Sequence, residues 1–323
     1  MRGRSLGLGV FTVALLLGAC STAEYGKPVN DFAKATDDAS TVLAQLNTQV
    51  TQAYGEVLER SILNRRALVR FQSGQGSQDC LTTSERCRLE IVTRDGKVEP
   101  YPPVPPLARM SLIMTQMNRY AANLKALVEA DTARAVETDV NAALASTQNL
   151  AQILADLQGG GKSQPVPQFA TPVGAAINWV VGQYVEHVKF AGLQRATSAA
   201  KPVVREAGGL FATTAGFVSD VARADLAEDV SRAVDAFRTS GSKANLAALA
   251  QSAARYDALL NATPPQLFQR MVAAHDALAE SLQGENVTLV AAIARIEAFA
   301  VEAKTLVKIL KDLEAVAAAK QGG

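Results

Sequence analysis

Apolar residues in this chain recur at alternating steps of four and three over stretches longer than a compact domain needs. Phe32, Thr36, Ala39, Leu43, Leu46, Val50, Ala53 and Val57 form one such row. Met110, Met114, Met117, Ala121, Leu124 and Val128 form a second, resumed at Val140, Leu144, Thr147, Ala151 and Leu154. Leu289, Ile293, Ile296, Ala300, Ala303, Val307 and Leu310 form a third. A heptad spacing of this kind draws one continuous stripe along a helix, and only lengthwise packing on other helices, as in a coiled coil, buries it. The first row predicts a helix from Phe32 to about Arg70, roughly 60 Å long at ~1.5 Å per residue. The second predicts a helix of about 50 residues from Leu107, antiparallel to the first, and the third one that reaches about Lys320. Aromatic residues are 5% of the chain and alanine is abundant, which favours close-packed helices over a β-sandwich. The expected fold is all-α: an elongated antiparallel helical bundle, one domain over 31–323.

Between the first two rows the helical period fails. Gly74 and Gly76 are turn-like, and Leu89, Ile91 and Val98 flank Asp95-Gly96, a strong hairpin signal. A small β-hairpin insertion at about 72–105 is expected, closed by a stiff proline-rich exit at 100–106. After a Gly/Ser/Lys/Pro loop at 158–168, residues 171–240 are less regular. Thr171-Pro172 is a good helix start, whereas Pro202 and Gly208-Gly209 read as interruptions. Shorter helices are expected at about 242–261 and 264–282, the second opened by Thr263-Pro264 and closed by Gly284.

The chain's opening has a different character. Arg2 and Arg4 precede an apolar run from Leu6 to Leu17, then small residues and Cys20. That is the layout of a secretory signal over 1–19, too short to span a bilayer. Leu17-Gly18-Ala19-Cys20 resembles the lipobox of bacterial lipoproteins, with Gly18 a less common choice at its position. The resemblance implies cleavage before Cys20, acylation of its thiol and new amine, and a lipidated N-terminus and tether over 20–30. Two buried acyl chains suffice for stable anchoring. The residue after the cysteine is Ser21 rather than the aspartate of inner-membrane retention, which implies the outer membrane, facing the periplasm.

With Cys20 acylated, Cys80 and Cys87 remain as an even pair in an oxidising compartment, and a disulfide between them is expected. It would close a small ring and contribute about 2–3 kcal/mol. A redox or metal pair is the alternative, but the spacing is neither Cys-x-x-Cys nor a usual zinc spacing, and no histidine is close in sequence. Without Arg2 and Arg4 the balance is 30 Lys+Arg against 31 Asp+Glu, a net of −1. A nucleic-acid binder shows a basic excess, so no nucleic-acid partner is expected.

Candidate catalytic patterns are weak. "GGGKS" at 159–163 looks like the tail of a phosphate-binding loop, but Asp156 stands where the first glycine belongs, and Pro165 and Pro167 follow. Ser-x-x-Lys occurs at Ser198/Lys201 and Ser240/Lys243 without its companion motifs; Ser240 or Ser242 suits a helix cap better. His187 and His275, beside Glu186 and Asp276, are the chain's two histidines. Neighbours on a helix diverge by about 100°, so each reads as surface or half-buried. Met110, Met114 and Met117 share a stripe and read as core, an adaptable groove being the alternative. No catalytic residue, cofactor or metal is expected. The apolar runs 172–185 and 208–218 read as central helices, or alternatively as a lipid-binding or membrane-active segment over 172–218. The leading expectation is a lipid-anchored, non-enzymatic scaffold or adaptor that binds a periplasmic or outer-membrane protein, with the hairpin as recognition tip.

Overall fold

The first apolar row does turn inward: Phe32, Thr36, Ala39, Leu43 and Leu46 are buried on α1 (Ala23–Asn64). The structure, a computed structural model, describes residues 22–71, 89–101, 107–157 and 181–321. Among these, α1 is followed by strands β1 (Leu68–Phe71), β2 (Leu89–Val92) and β3 (Val98–Pro100), then α2 (Leu107–Glu129) and α3 (Ala133–Leu157). The remainder is α4 (Val181–Ser240), α5 (Lys243–Asn261), α6 (Pro264–Gln283) and α7 (Leu289–Gln321). The fold is an all-α bundle with a small sheet.

α1 differs from expectation at both ends. It begins at Ala23, so residues 23–29, which read as tether, are its first turns, with Tyr25 and Val29 buried. It stops at Asn64 instead of Arg70. Ala67 N donates to Ile62 O and Arg66 N to Leu63 O, both at 3.0 Å, with Arg66 at φ 48°. This is the paired-bond Schellman ending, in which one residue turns left-handed. Leu68–Phe71 then become a strand, and the insertion carries three strands, ordered β1-β2-β3 and antiparallel throughout. The Asp95-Gly96 signal holds: Gly96, at φ 82°, donates its N–H to Thr93 O at 2.8 Å in the β2–β3 turn.

The second row holds two helices, not one. The chain turns between Glu129 and Ala133, and α3 packs back along α2. Thr132 makes the break, its hydroxyl accepting from Ala135 N at 3.1 Å as an N-cap does. Met110, Met114, Met117, Leu124, Val140, Leu144 and Leu154 are buried, so the methionine stripe is core.

The opposite correction applies to 181–240, where the expected interruptions lie inside one 60-residue helix, about 90 Å long. Pro202 is exposed, and so is Ser198, the residue whose carbonyl loses its N–H partner. Gly208 instead marks a close approach of α4 to α6, where a Cβ would lie 2.1 Å from Val272 Cγ2. The short helices match: Ser242 caps α5 by accepting from Asn245 N at 3.1 Å, Thr263 precedes the Pro264 start of α6, and Gly284 ends it at φ 68°. In α7 the buried positions are Ala292, Ile296, Phe299, Ala303, Leu306, Leu310 and Leu313. Four of the seven residues of the expected third row (Leu289, Ile293, Ala300, Val307) are only partly buried.

Candidate functional site

A hydrogen-bonded aromatic pair, Tyr120 and His275, joins α2 to α6 in the core. Tyr120 is wholly buried by the spacing that buries Met117 and Leu124. His275 falls on the same face of α6 as Phe268, Met271, Leu278 and Leu282, so helix formation alone carries it inward. Tyr120 Oη and His275 Nε2 are 2.8 Å apart. The Phe32 ring sits 5.8 Å from the imidazole, centroid to centroid. Burial, with the nearby charges of Lys201 and Arg205, pushes His275 down to about 3, and burial pushes the Tyr120 phenol up. Both are therefore neutral across the physiological range. No hydrogen-bond partner meets His275 Nδ1 among the described residues. A group sealed from solvent and locked in one charge state cannot relay protons to a substrate, so the pair is a structural polar contact. Full burial of His275 corrects the expectation of a surface or half-buried residue. His187, on α4, is exposed as expected.

The Ser-x-x-Lys patterns contain no activated nucleophile. Lys201 Nζ is 2.8 Å from Glu280, and Ser198 Oγ accepts from Gln283 Nε2 at 2.7 Å. Ser240 Oγ accepts from Asn245 Nδ2 at 2.5 Å and donates to Ala236 O at 3.2 Å. Lys201–Glu280 and Arg205–Asp276 (2.8 Å) instead stitch α4 to α6. The Lys201 hydrogen bond holds the Glu280 carboxyl below its ordinary value. Among the described residues no group of three His, Cys, Asp or Glu could hold a metal ion. Likewise, no described helix is long and apolar enough to cross a membrane. Within 208–218, Gly208 packs on Val272, and Phe211, Ala215 and Val218 are buried, with Phe211 5.1 Å from Phe268. Cys20, Cys80, Cys87, "GGGKS" at 159–163 and the run 172–180 lie outside the described residues.

Two places remain where the bundle presents something distinctive. The first is the start of α1. Thr22 is buried and its hydroxyl donates to Glu186 on α4. Tyr25 Oη donates to Ser281 O on α6 at 3.1 Å, and its ring meets Phe190 edge-on at 5.8 Å. Lys189 bonds Glu186 at 3.0 Å and reaches Val128 O at 3.4 Å. Four helices thus converge on the chain's first described residues. Nothing in the sequence pairs Thr22 with Glu186, since the contact depends on where two distant helices begin.

The second is the sheet. Leu68 is 72% exposed, Val69 42% and Val98 50%, and β1 and β3 are the edge strands among the described residues. Arg70 Nε pairs with Glu90 at 2.6 Å, while Glu99 takes Arg65 at 3.1 Å and Lys97 at 2.7 Å. Arg65, Thr93, Arg94, Asp95, Lys97 and Glu99 border a shallow cavity of about 640 Å³. Exposed apolar side chains ringed by charge are the composition of a protein-contact surface. Comparison with known proteins adds no relative: no family model, curated protein or solved structure matches this chain.

Proposed function

We propose that this protein is an outer-membrane-anchored, periplasm-facing lipoprotein, acylated at Cys20, that serves as a non-enzymatic helical scaffold for a protein partner. The observation that carries the reading is the exposed sheet, held at the far end of α1, about 60 Å from Thr22. Leu68, Val69 and Val98 there are apolar and uncovered, while in the bundle the Tyr120–His275 pair is buried and Lys201 is bonded to Glu280. Arg65, Lys97 and Glu99 supply a polar rim. In this reading heptad rows key the long helices together into an elongated bundle, and a Cys80–Cys87 disulfide clasps the segment between β1 and β2.

Two measurements test the proposal. Metabolic labelling with a clickable fatty acid should mark the wild-type chain and fail with Cys20→Ser. A photo-crosslinking residue at Val98 should capture one discrete partner in intact cells, and the same residue at Lys243 should not. Equal patterns from both positions would remove the sheet as the recognition tip. The membrane-active alternative over 172–218 is weakened by the burial of Phe211, Ala215 and Val218. Trp179, the only tryptophan in the chain, reports on what is left of it. Its emission should not shift to the blue when the 21–323 fragment meets vesicles.

A further inference from the structure

We infer that the end of the bundle where α1 and α4 begin is a bilayer-facing surface, pressed against lipid headgroups by a tether too short to let it turn away. The inference rests on acylation of Cys20 and deepens that reading by assigning the molecule an orientation. Cys20 lies two residues from Thr22, a reach of at most about 7 Å even when extended. A loose leader would let the bundle tumble, but Thr22 is 2% exposed, tied to Glu186, and followed at once by helix. Tyr25, one turn on, is fixed between Ser281 O and Phe190. Acyl chains leaving Cys20 therefore enter the bilayer beside a rigid surface.

Chain direction says what else lies on that surface. Lys189, two turns into α4, reaches the last turn of α2 at Val128 O, and Gln194 Nε2 donates to Leu282 O at 2.6 Å on the last turn of α6. The α2–α3 and α6–α7 turns therefore belong to the same end as Thr22. Those turns expose Glu129, Asp131 and Glu285, with Arg134 beside them. An acidic rim gains nothing from an anionic leaflet, so the contact is imposed by the tether and has no affinity of its own. The α4–α5 turn lies about 80 Å farther along α4 from Glu186, and the sheet also points away from the membrane.

The test uses the acylated full-length chain in phosphatidylcholine vesicles containing a headgroup-nitroxide lipid. A fluorescent non-canonical residue is placed at Glu285 or, separately, at Lys243. Emission at 285 should be quenched severalfold and emission at 243 left unchanged. A ten-residue Gly/Ser insertion after Ser21, with an r.m.s. span of about 17 Å, should abolish the difference. Mass spectrometry of the same samples reads Cys20 independently. Acylated Cys20 with equal emission at both positions would overturn the orientation and leave the lipoprotein reading standing. An unmodified Cys20 would overturn both.

Discussion

Gly208 and Gly209 are neighbours in sequence, yet replacing each by alanine should move stability in opposite directions. Gly208 is buried against α6, and a Cβ there would stand 2.1 Å from Val272 Cγ2 and 3.4 Å from Phe268 O. Carbon atoms pack at about 3.5–4.0 Å, so Val272 or the helix axes must give by more than an ångström. Val272 cannot swing aside cheaply, because a β-branched side chain in a helix holds one rotamer. Overpacking of this kind costs about 1–3 kcal/mol, here toward the upper figure, and removing a helical glycine returns about 0.5–1 kcal/mol. Gly208→Ala should therefore lose about 2 kcal/mol. Gly209 is exposed with nothing within 4 Å of its Cβ, so Gly209→Ala should gain about 0.5–1 kcal/mol. Urea unfolding of the 21–323 fragment, followed by far-UV circular dichroism, reads both as midpoint shifts at constant slope. Combining Gly208→Ala with Val272→Ala should recover part of the loss. Equal shifts for the two glycines, or a Gly208→Ala variant as stable as the parent, would refute close helix approach as the reason α4 carries glycine there.

The other expectations can be checked on the same fragment. Folding lowers the pKa of His275 from 6.5 to about 3, so the unfolded chain binds the extra proton. Its contribution is complete above pH 6.5 and falls by up to about 1.4 kcal/mol per pH unit on acidification toward 3. A His275→Leu/Tyr120→Phe double variant should lose that part of the acid sensitivity, and persistence of the full slope would count against it. Tyr120→Phe alone strands the imidazole and should cost about 1–3 kcal/mol, more than the double variant does. Arg66 and Gly284 occupy the same left-handed position in two equivalent helix endings. Arg66→Gly should thus stabilise and Gly284→Ala destabilise, each by about 1 kcal/mol in denaturant titration. Peptide mapping without reduction should recover Cys80 and Cys87 in one linked fragment, and Cys80→Ser should lower stability by about 2–3 kcal/mol.

Legibility in the sequence tracked how local the deciding physics was. Burial of Phe32, Leu43, Met110, Met117 and Leu154 follows from spacing on one helix, and the Asp95-Gly96 turn and the Gly284 ending follow from residues a few positions apart. The break between α2 and α3 was hidden because Val128 and Val140 keep the same stripe on both sides of it. A capping threonine at 132 was the available signal. Pro202 and Gly208-Gly209 misled for a different reason. Their intrinsic cost to a helix is real, but α4 packs against α1, α3, α5 and α6, and Gly208 serves the contact with α6. Propensity describes an isolated helix, and this one is not isolated.

The same distinction separates the two candidate surfaces. His275 reads as surface or half-buried when judged by its neighbour Asp276, yet its burial follows from Phe268, Met271, Leu278 and Leu282, because the face of α6 is a property of α6 alone. The Thr22–Glu186 contact was not, since it joins positions 164 residues apart whose proximity depends on every turn between them. Residues 21–29 looked like a tether because glycine and proline there suggest an irregular chain. Pro28 in fact sits in the second turn of α1, where the carbonyl it leaves without an N–H partner is that of exposed Glu24. A proline so near a helix start gives up one bond while Tyr25 and Val29 bury their side chains, and burying each large apolar group is worth about 1.5–3 kcal/mol. Burial therefore outweighs the lost bond, the helix extends almost to Cys20, and the rigidity of that junction gives an acyl anchor leverage over how the bundle stands.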